Sequence, residues 1–258
     1  MSNVEDTTPT PGTPCWVNLM ARNLEKAQGF YSEIMGWEFR RSTLDDDLTV
    51  ALTHGERVAG IGCCREAGQP VIWTPYFAVR DADKTAGRIS ERGATLAVGP
   101  LPLGNGRAGV AADRDGAVFG FWEGPIAAWR VGHGNAPARL DLETRDAFDA
   151  AIFYAEVFGW AQPPSACTVD YAHDRVLVRS AGHTLATVHS RTPDSDPEGA
   201  ARPRWVVDFR VGNPARTAAA AVAAGGNAAP VTSPLSAASG STFVIHDPEG
   251  AFFTVSGG

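Results

Sequence analysis

Two short stretches, Arg139-Leu140-Asp141-Leu142-Glu143 and Val207-Asp208-Phe209-Arg210-Val211, alternate charged with apolar residues, the two-residue period of a strand whose faces differ. Leu140, Leu142, Val207, Phe209 and Val211 suit a face packed beneath helices, which turns Arg139, Asp141, Glu143, Asp208 and Arg210 to the other side. Charges of both signs on one face allow two outcomes. Arg139 and Arg210 can neutralise Asp141 and Asp208 in a filled interior, since buried charge persists only when paired. Alternatively, burial raises the pKa of Asp141 or Asp208 enough to make it a general base, with Arg139 holding an oxyanion.

A second surface is aromatic. In Cys15-Trp16-Val17-Asn18-Leu19-Met20, parity sets Cys15, Val17 and Leu19 beneath a helix and turns Trp16, Asn18 and Met20 the other way. Thr74, Tyr76 and Ala78 alternate likewise against Pro75, Phe77 and Val79. Together with Trp122 these residues form a wall of rings and neutral hydrogen-bonding groups, suited to a flat organic ligand; the same residues could simply fill a core.

Other chemistry-bearing residues are dispersed. His54, His133, His173, His183, His189 and His246 show no close i, i+4 pairing, and each reads first as a loop or surface residue. His173 and His189 reach the charged face only if their strands turn inward. Cys15, Cys63, Cys64 and Cys167 lack zinc spacing and read as small buried hydrophobes. Gly104-Asn105-Gly106 lacks the strand-to-helix setting of a phosphate loop and reads as a turn.

The 258-residue chain has a formal net charge of -7 and no basic run, which argues against nucleic acid. No apolar stretch is long enough to span a bilayer, and residues 1–12 form a polar Thr/Pro tail without a signal-peptide core, so the expected location is the cytoplasm.

Positioning follows from an internal repeat. Phe30-Tyr31-Ser32-Glu33-Ile34-Met35-Gly36-Trp37 returns as Phe153-Tyr154-Ala155-Glu156-Val157-Phe158-Gly159-Trp160, 123 residues later. Each copy reads as an amphipathic helix ending in a left-handed glycine cap. Phe77-Ala78-Val79-Arg80-Asp81 matches Phe209-Arg210-Val211-Gly212-Asn213, and Arg114-Asp115-Gly116-Ala117-Val118-Phe119 matches Pro248-Glu249-Gly250-Ala251-Phe252-Phe253. Asn23, Asp81, Asp146 and Asn213 cap helices over Leu24 to about Met35, Ala82 to Arg92, Ala147 to Phe158 and Pro214 to Ala224. Segments 49–53 and 58–62 flank a turn at 54–57; strands follow near 109–111 and 118–122, and 191–199 reads as a polar loop. The order predicts an α+β chain of four βαβββ modules in two domains, 13–124 and 137–258, with a flexible tail over 1–12 and a connection over 125–136.

These motifs, with Trp16 to Met20, Asn23 to Ala27, Asp81-Ala82-Asp83 and Asp247-Pro248-Glu249-Gly250-Ala251-Phe252, resemble the vicinal oxygen chelate superfamily, also called the glyoxalase/bleomycin-resistance/dioxygenase group. The resemblance covers nearly the whole chain past residue 13 and is nearest to tandem two-domain members labelled hydroxylase or glyoxalase-like. It implies curved mixed sheets forming two cups and an internal pseudo-dimer, with homodimerisation open. Metalloenzymes of that group hold a divalent ion with His, Gln and Glu side chains. The corresponding positions here are Trp16, Thr74 and Gly120 in the first domain, and Arg139, Val206 and Thr254 in the second. Only threonine offers even an oxygen, so no metal and no other cofactor is expected.

Three functions remain in view. One is metal-independent binding of an aromatic or polycyclic small molecule, in natural-product resistance or biosynthesis, through Trp16, Asn18, Thr74, Tyr76, Trp122 and Arg210. Another is cofactor-free cyclisation, isomerisation or elimination, with Asp141, Asp208 and Arg139 as catalytic groups. The third is a metal lyase or dioxygenase with relocated ligands such as His173, His189 and Asp208.

Overall fold

A computed structural model describes residues 6–42, 44, 47–64, 69–127, 129–160, 167–172, 175–190, 202–231 and 242–257. After β1 (Asp6–Thr7), the first module comprises β2 (Pro14–Ala21), α1 (Leu24–Met35), β3 (Glu38–Arg41), β4 (Leu48–Thr53) and β5 (Glu56–Cys63). The second comprises β6 (Trp73–Ala78), α2 (Ala82–Glu91), β7 (Thr95–Leu103), β8 (Gly106–Ala112) and β9 (Val118–Glu123). Beyond β10 (Ile126–Ala127), the third comprises β11 (Arg139–Thr144), α3 (Ala147–Phe158), β12 (Cys167–Ala172), β13 (Arg175–Ser180) and β14 (His183–Ser190). The fourth comprises β15 (Arg204–Val211), α4 (Pro214–Ala223), β16 (Asn227–Pro230), β17 (Thr242–His246) and β18 (Phe252–Gly257).

Among the described residues the strands form two eight-stranded mixed sheets, ordered β3-β4-β5-β2-β6-β9-β8-β7 and β12-β13-β14-β11-β15-β18-β17-β16. The first and last strands of each module pair in parallel: β2 with β5, β6 with β9, β11 with β14 and β15 with β18. This is the α+β architecture of four βαβββ modules that the sequence predicts. No helix among the described residues is long and apolar enough to cross a membrane.

All four expected caps form. Asn23 accepts from the Lys26 N–H, Asp81 from Lys84, Asp146 from Phe148 and Asp149, and Asn213 from Arg216. Each such cap contributes about 1 kcal/mol by satisfying a donor that the first helical turn leaves unpaired. Gly36 and Gly159 end their helices at φ 68° and 72°, where a β-carbon would be strained.

The chain divides into two compact units that do not follow its order. Unit 1 gathers Met1–Trp16, Thr74–Gly132 and Arg139–Trp205; unit 2 gathers Val17–Trp73, His133–Ala138 and Val206–Gly258. Unit 1 thus holds the second and third modules, and unit 2 most of the first and fourth. In unit 1, Phe77, Phe119, Tyr154, Phe158, Trp160 and Trp205 form a continuous aromatic interior, with Phe77 stacked on Phe158 at 4.6 Å. In unit 2, Tyr31, Trp37, Trp73, Phe209 and Phe253 do the same. Tyr31, Trp37, Tyr154 and Trp160 among them come from the repeated Phe-Tyr and Gly-Trp motifs.

Each interior carries one buried relay. Trp205 Nε1 donates to Tyr154 Oη at 3.0 Å, and Tyr154 donates to Asp113 at 2.9 Å. Trp73 Nε1 donates to Tyr31 Oη at 3.1 Å, and Tyr31 donates to Asp247 at 3.1 Å. The remaining carboxylate oxygen tightens the repeated Gly-Ala turn: Asp113 Oδ1 accepts from Asp115 and Ala117, and Asp247 Oδ1 from Glu249 and Ala251.

Three expectations change. The nine-residue edge strand β7 escapes a propensity reading because Pro100 and Pro102 interrupt it; an edge tolerates them, since one side needs no ladder donor. The presumed tail is partly paired, with Asp6–Thr7 against Ile126–Ala127, and the Gly12 carbonyl accepts from Trp160 Nε1 at 2.7 Å. The hairpin turn is only His54-Gly55, because both residues adopt positive φ and let strands run to Thr53 and from Glu56. The polar loop expected at 191–199 lies outside the described residues.

Candidate functional site

The aromatic face is clearest in unit 1. Trp16 is half-buried, its ring 5.9 Å from that of Trp129 and tilted by 54°. The Tyr76 ring lies over Gly120, so close that a β-carbon there would collide with it. Burial, and next the charge of a Cys15 thiolate, push the Tyr76 phenol up to about 12, so the hydroxyl stays neutral at ordinary pH. Thr74 is buried beside these residues in the chain.

Trp122 lies on the expected face but is almost fully buried there. It is 5% exposed, packs with Cys15 and Ala78, and donates Nε1 to the Gly124 carbonyl at 3.1 Å. It is therefore core, its only donor already used. Cys15 is displaced from expectation, joining this cluster rather than the face of Val17 and Leu19, and its thiol donates to the Tyr76 carbonyl. The strand is entered irregularly, with Ala78 accepting from Gly12 and donating to Thr13, so strict alternation does not extend back to its first residues.

The charged face of unit 1 is a set of ion pairs. Arg139 Nε lies 2.8 Å from Asp141 Oδ2, His189 Nε2 lies 3.5 Å from Asp141 Oδ1, and Arg204 Nε lies 3.0 Å from Glu143. His189 reaches this face because β14 pairs in parallel with β11, setting His189 opposite Glu143 and Thr187 opposite Asp141. Burial pushes the Asp141 carboxyl up, yet the His189 hydrogen bond and the charge of Arg139 outweigh it and hold the pKa below the usual carboxylate value. Desolvation, from which a raised Asp141 pKa was expected, is thus outweighed by the contacts with His189 and Arg139.

Unit 2 differs. Asp208 is 1% exposed and accepts from the Thr254 hydroxyl at 2.7 Å and the Ser256 hydroxyl at 2.6 Å. Arg210, expected to neutralise Asp208, is exposed, and among the described residues it has no hydrogen-bonded or ionic partner. It lines a cleft of about 460 Å³ with Trp37, His54, Val58, Asn135 and Phe209. Asn18 is buried, its Nδ2 3.2 Å from the Met20 sulfur.

Arg204 and Ser256 were not singled out from sequence, His189 was placed on the charged face only conditionally, and Thr254 was named only as a position implied by the resemblance. His189 carried no readable orientation, because its face depends on strand register. Thr254 and Ser256 did carry a signal: they alternate with buried Phe253 and Val255 opposite Asp208. His173 lies outside the described residues.

The six positions where the resemblance would place metal ligands do not suit a divalent cation. Trp16 meets Trp129, Gly120 lies beneath Tyr76, Arg139 binds Asp141, Thr254 donates to Asp208, and Thr74 and Val206 are buried. A cationic guanidinium, an indole and a bare glycine supply no ligand oxygen or nitrogen. No group of three or more His, Cys, Asp or Glu side chains among the described residues could hold a metal.

Paired βαβββ modules, with parallel first and last strands and a polar face opposite the helices, define a tandem glyoxalase-type protein. The family description "Glyoxalase/Bleomycin resistance protein/Dioxygenase superfamily" matches residues 15–121, and "Glyoxalase-like domain" matches 139–256; the chain belongs to this superfamily, in tandem form. It is 28% identical to the anthracycline biosynthesis protein DauV of Streptomyces sp. (strain C5), over 95% of this chain and 93% of that protein. Anthracycline biosynthesis protein DnrV of Streptomyces peucetius is likewise 28% identical with the same coverage. Among solved structures, the chain is similar in fold to the Mn(II)-bound glyoxalase of Novosphingobium aromaticivorans, with a TM-score of 0.60 at 13% identity, covering 96% of this chain and 82% of that one. The 2,3-dioxygenase LapB of Pseudomonas sp. KL28 gives a TM-score of 0.61 at 14% identity, covering 98% and 94%.

Proposed function

We propose that this protein binds a planar aromatic or polycyclic natural product without a metal ion, in the biosynthesis of, or resistance to, such compounds. The observation that carries this reading is Tyr76 lying over Gly120, a ring where the fold's metalloenzymes carry a carboxylate ligand. With half-buried Trp16 and Trp129, unit 1 offers rings on which a flat ligand can stack. The relatives named for anthracycline biosynthesis support a polycyclic aromatic ligand.

Titration of tryptophan fluorescence against anthraquinones and other planar polyketides, alongside aliphatic compounds of similar size, tests the reading. Micromolar binding of the planar set is expected, weakened roughly tenfold by Trp16→Ala or Tyr76→Ala. No compound binding better than millimolar would defeat it. Stoichiometric metal in protein purified without chelator would defeat the metal-free part.

A second reading, cofactor-free proton transfer, is favoured by the contact between His189 and Asp141. There His189 would move the proton, with Asp141 orienting the imidazole and Arg139 facing developing negative charge. Turnover that survives both His189→Ala and Asp141→Asn would remove it.

A further inference from the structure

Asn18 on β2 is 7% exposed, and among the described residues its Oδ1 has no hydrogen-bond donor. The amide cannot be satisfied by turning it over. Its Nδ2 faces the Met20 sulfur, and the reversed amide would set two acceptors against each other. Buried acceptors are nearly always paired, because leaving one unmade costs the full loss of its hydration. Asn18 is the uncommon case of a buried acceptor that no described protein group satisfies.

Its neighbours explain how it stays accessible to a guest. The residue directly opposite on β5 is Gly60, which adds no side chain to that face, and the next strand contributes Val50 at the same level. Two residues on, Met20 lies opposite Gly62, where its sulfur sits 2.9 Å from the place a β-carbon would occupy. Met20 is 38% exposed and unbranched, so its thioether can swing aside without moving backbone. Asn18 therefore combines an unused acceptor, a neighbour without a side chain and a movable cover.

We infer that Asn18 accepts a hydrogen bond from a hydroxyl on the ligand's rim, so that the favoured ligands are phenolic rather than fully O-alkylated aromatics. This rests on the reading that the protein binds an aromatic small molecule. The hydroxyl donates to Oδ1, Met20 shifts to admit it, and a methyl ether at the same place brings an oxygen without a proton.

Paired titrations with anthraflavic acid and its dimethyl ether test the assignment. The native protein should bind the phenol about tenfold more tightly than the ether, the worth of one buried hydrogen bond, and Asn18→Leu should abolish that preference while still binding the ether. Equal binding of the two by the native protein, or a preference that survives in Asn18→Leu, overturns the assignment alone. Failure of both compounds to bind native protein overturns the aromatic-binding reading together with it. The ligand-free melting temperature gives an independent readout: Asn18→Leu should melt no lower than the native protein, and a fall of several degrees would show the amide to be a structural requirement. If the leucine variant does not fold, Asn18→Ala carries the same comparison of phenol with ether.

Discussion

In unit 1, Trp205 donates to Tyr154 and Tyr154 to Asp113; in unit 2, Trp73 donates to Tyr31 and Tyr31 to Asp247. The two interiors are built alike, one from adjacent modules and one from modules far apart in the chain, but the polar faces are not. Unit 1 sets Arg139 in an ion pair with Asp141 and His189 in contact with it, whereas unit 2 has Asp208 held by hydroxyls and Asn18 with a spare acceptor. A buried donor or acceptor without its partner is unfavourable, so the relay tolerates little change. A face that meets a guest can vary with the guest.

The largest test of the shared frame is to remove its carboxylates. Asp113→Ala and Asp247→Ala each strip the acceptor from two turn N–H groups and a buried phenol. Each should cost about 3 kcal/mol in chemical denaturation, with similar values in the two units. A cost in one unit only would break the equivalence. Smaller effects are expected of Tyr31→Phe and Tyr154→Phe, about 1 to 2 kcal/mol apiece, because each leaves a tryptophan N–H and a carboxylate oxygen short of one partner.

The finest distinction is in acid. Burial raises the pKa of Asp113 and Asp247 above 3.8, more than their hydrogen bonds lower it, so the penalty on their charged forms is relieved as pH falls through the folded values. Asp141 has the opposite sign. Held below 3.8, it contributes stability that is present above that value and lost as pH falls through its folded pKa. Asp141→Asn should therefore flatten the acid limb of a stability-against-pH curve measured by denaturant midpoint. An unchanged limb would show that the Arg139 and His189 contacts do not persist in solution.

The helices were legible because their caps are local: Asn23, Asp81, Asp146 and Asn213 act on N–H groups two or three residues away. The same holds for the face of Asp208 and Arg210, fixed by the alternation of β15. Where the reading failed, the deciding contact was distant or irregular. Trp122 lies on the anticipated face, but its burial comes from Cys15 and neighbouring strands. His189 meets Asp141 through strand register that no single segment encodes. The Phe-Tyr motifs and the Gly-Ala turns were visible as a repeat, whereas Asp113 ahead of the first turn went unread, and the joining of these pieces into one relay per unit is a property of how the modules combine.

That joining has a kinetic corollary. Tyr154 and Asp113 are separated by 41 positions, while Tyr31 and Asp247 are separated by 216. Closing the longer loop carries an added entropic cost of about 1.5 kcal/mol, and non-local closures of this kind are slow. During synthesis the frame of unit 1 is complete once Trp205 has emerged, but Tyr31 must wait for Asp247, 216 positions after it. Folding on the ribosome should therefore begin with the second and third modules and finish by uniting the first with the fourth.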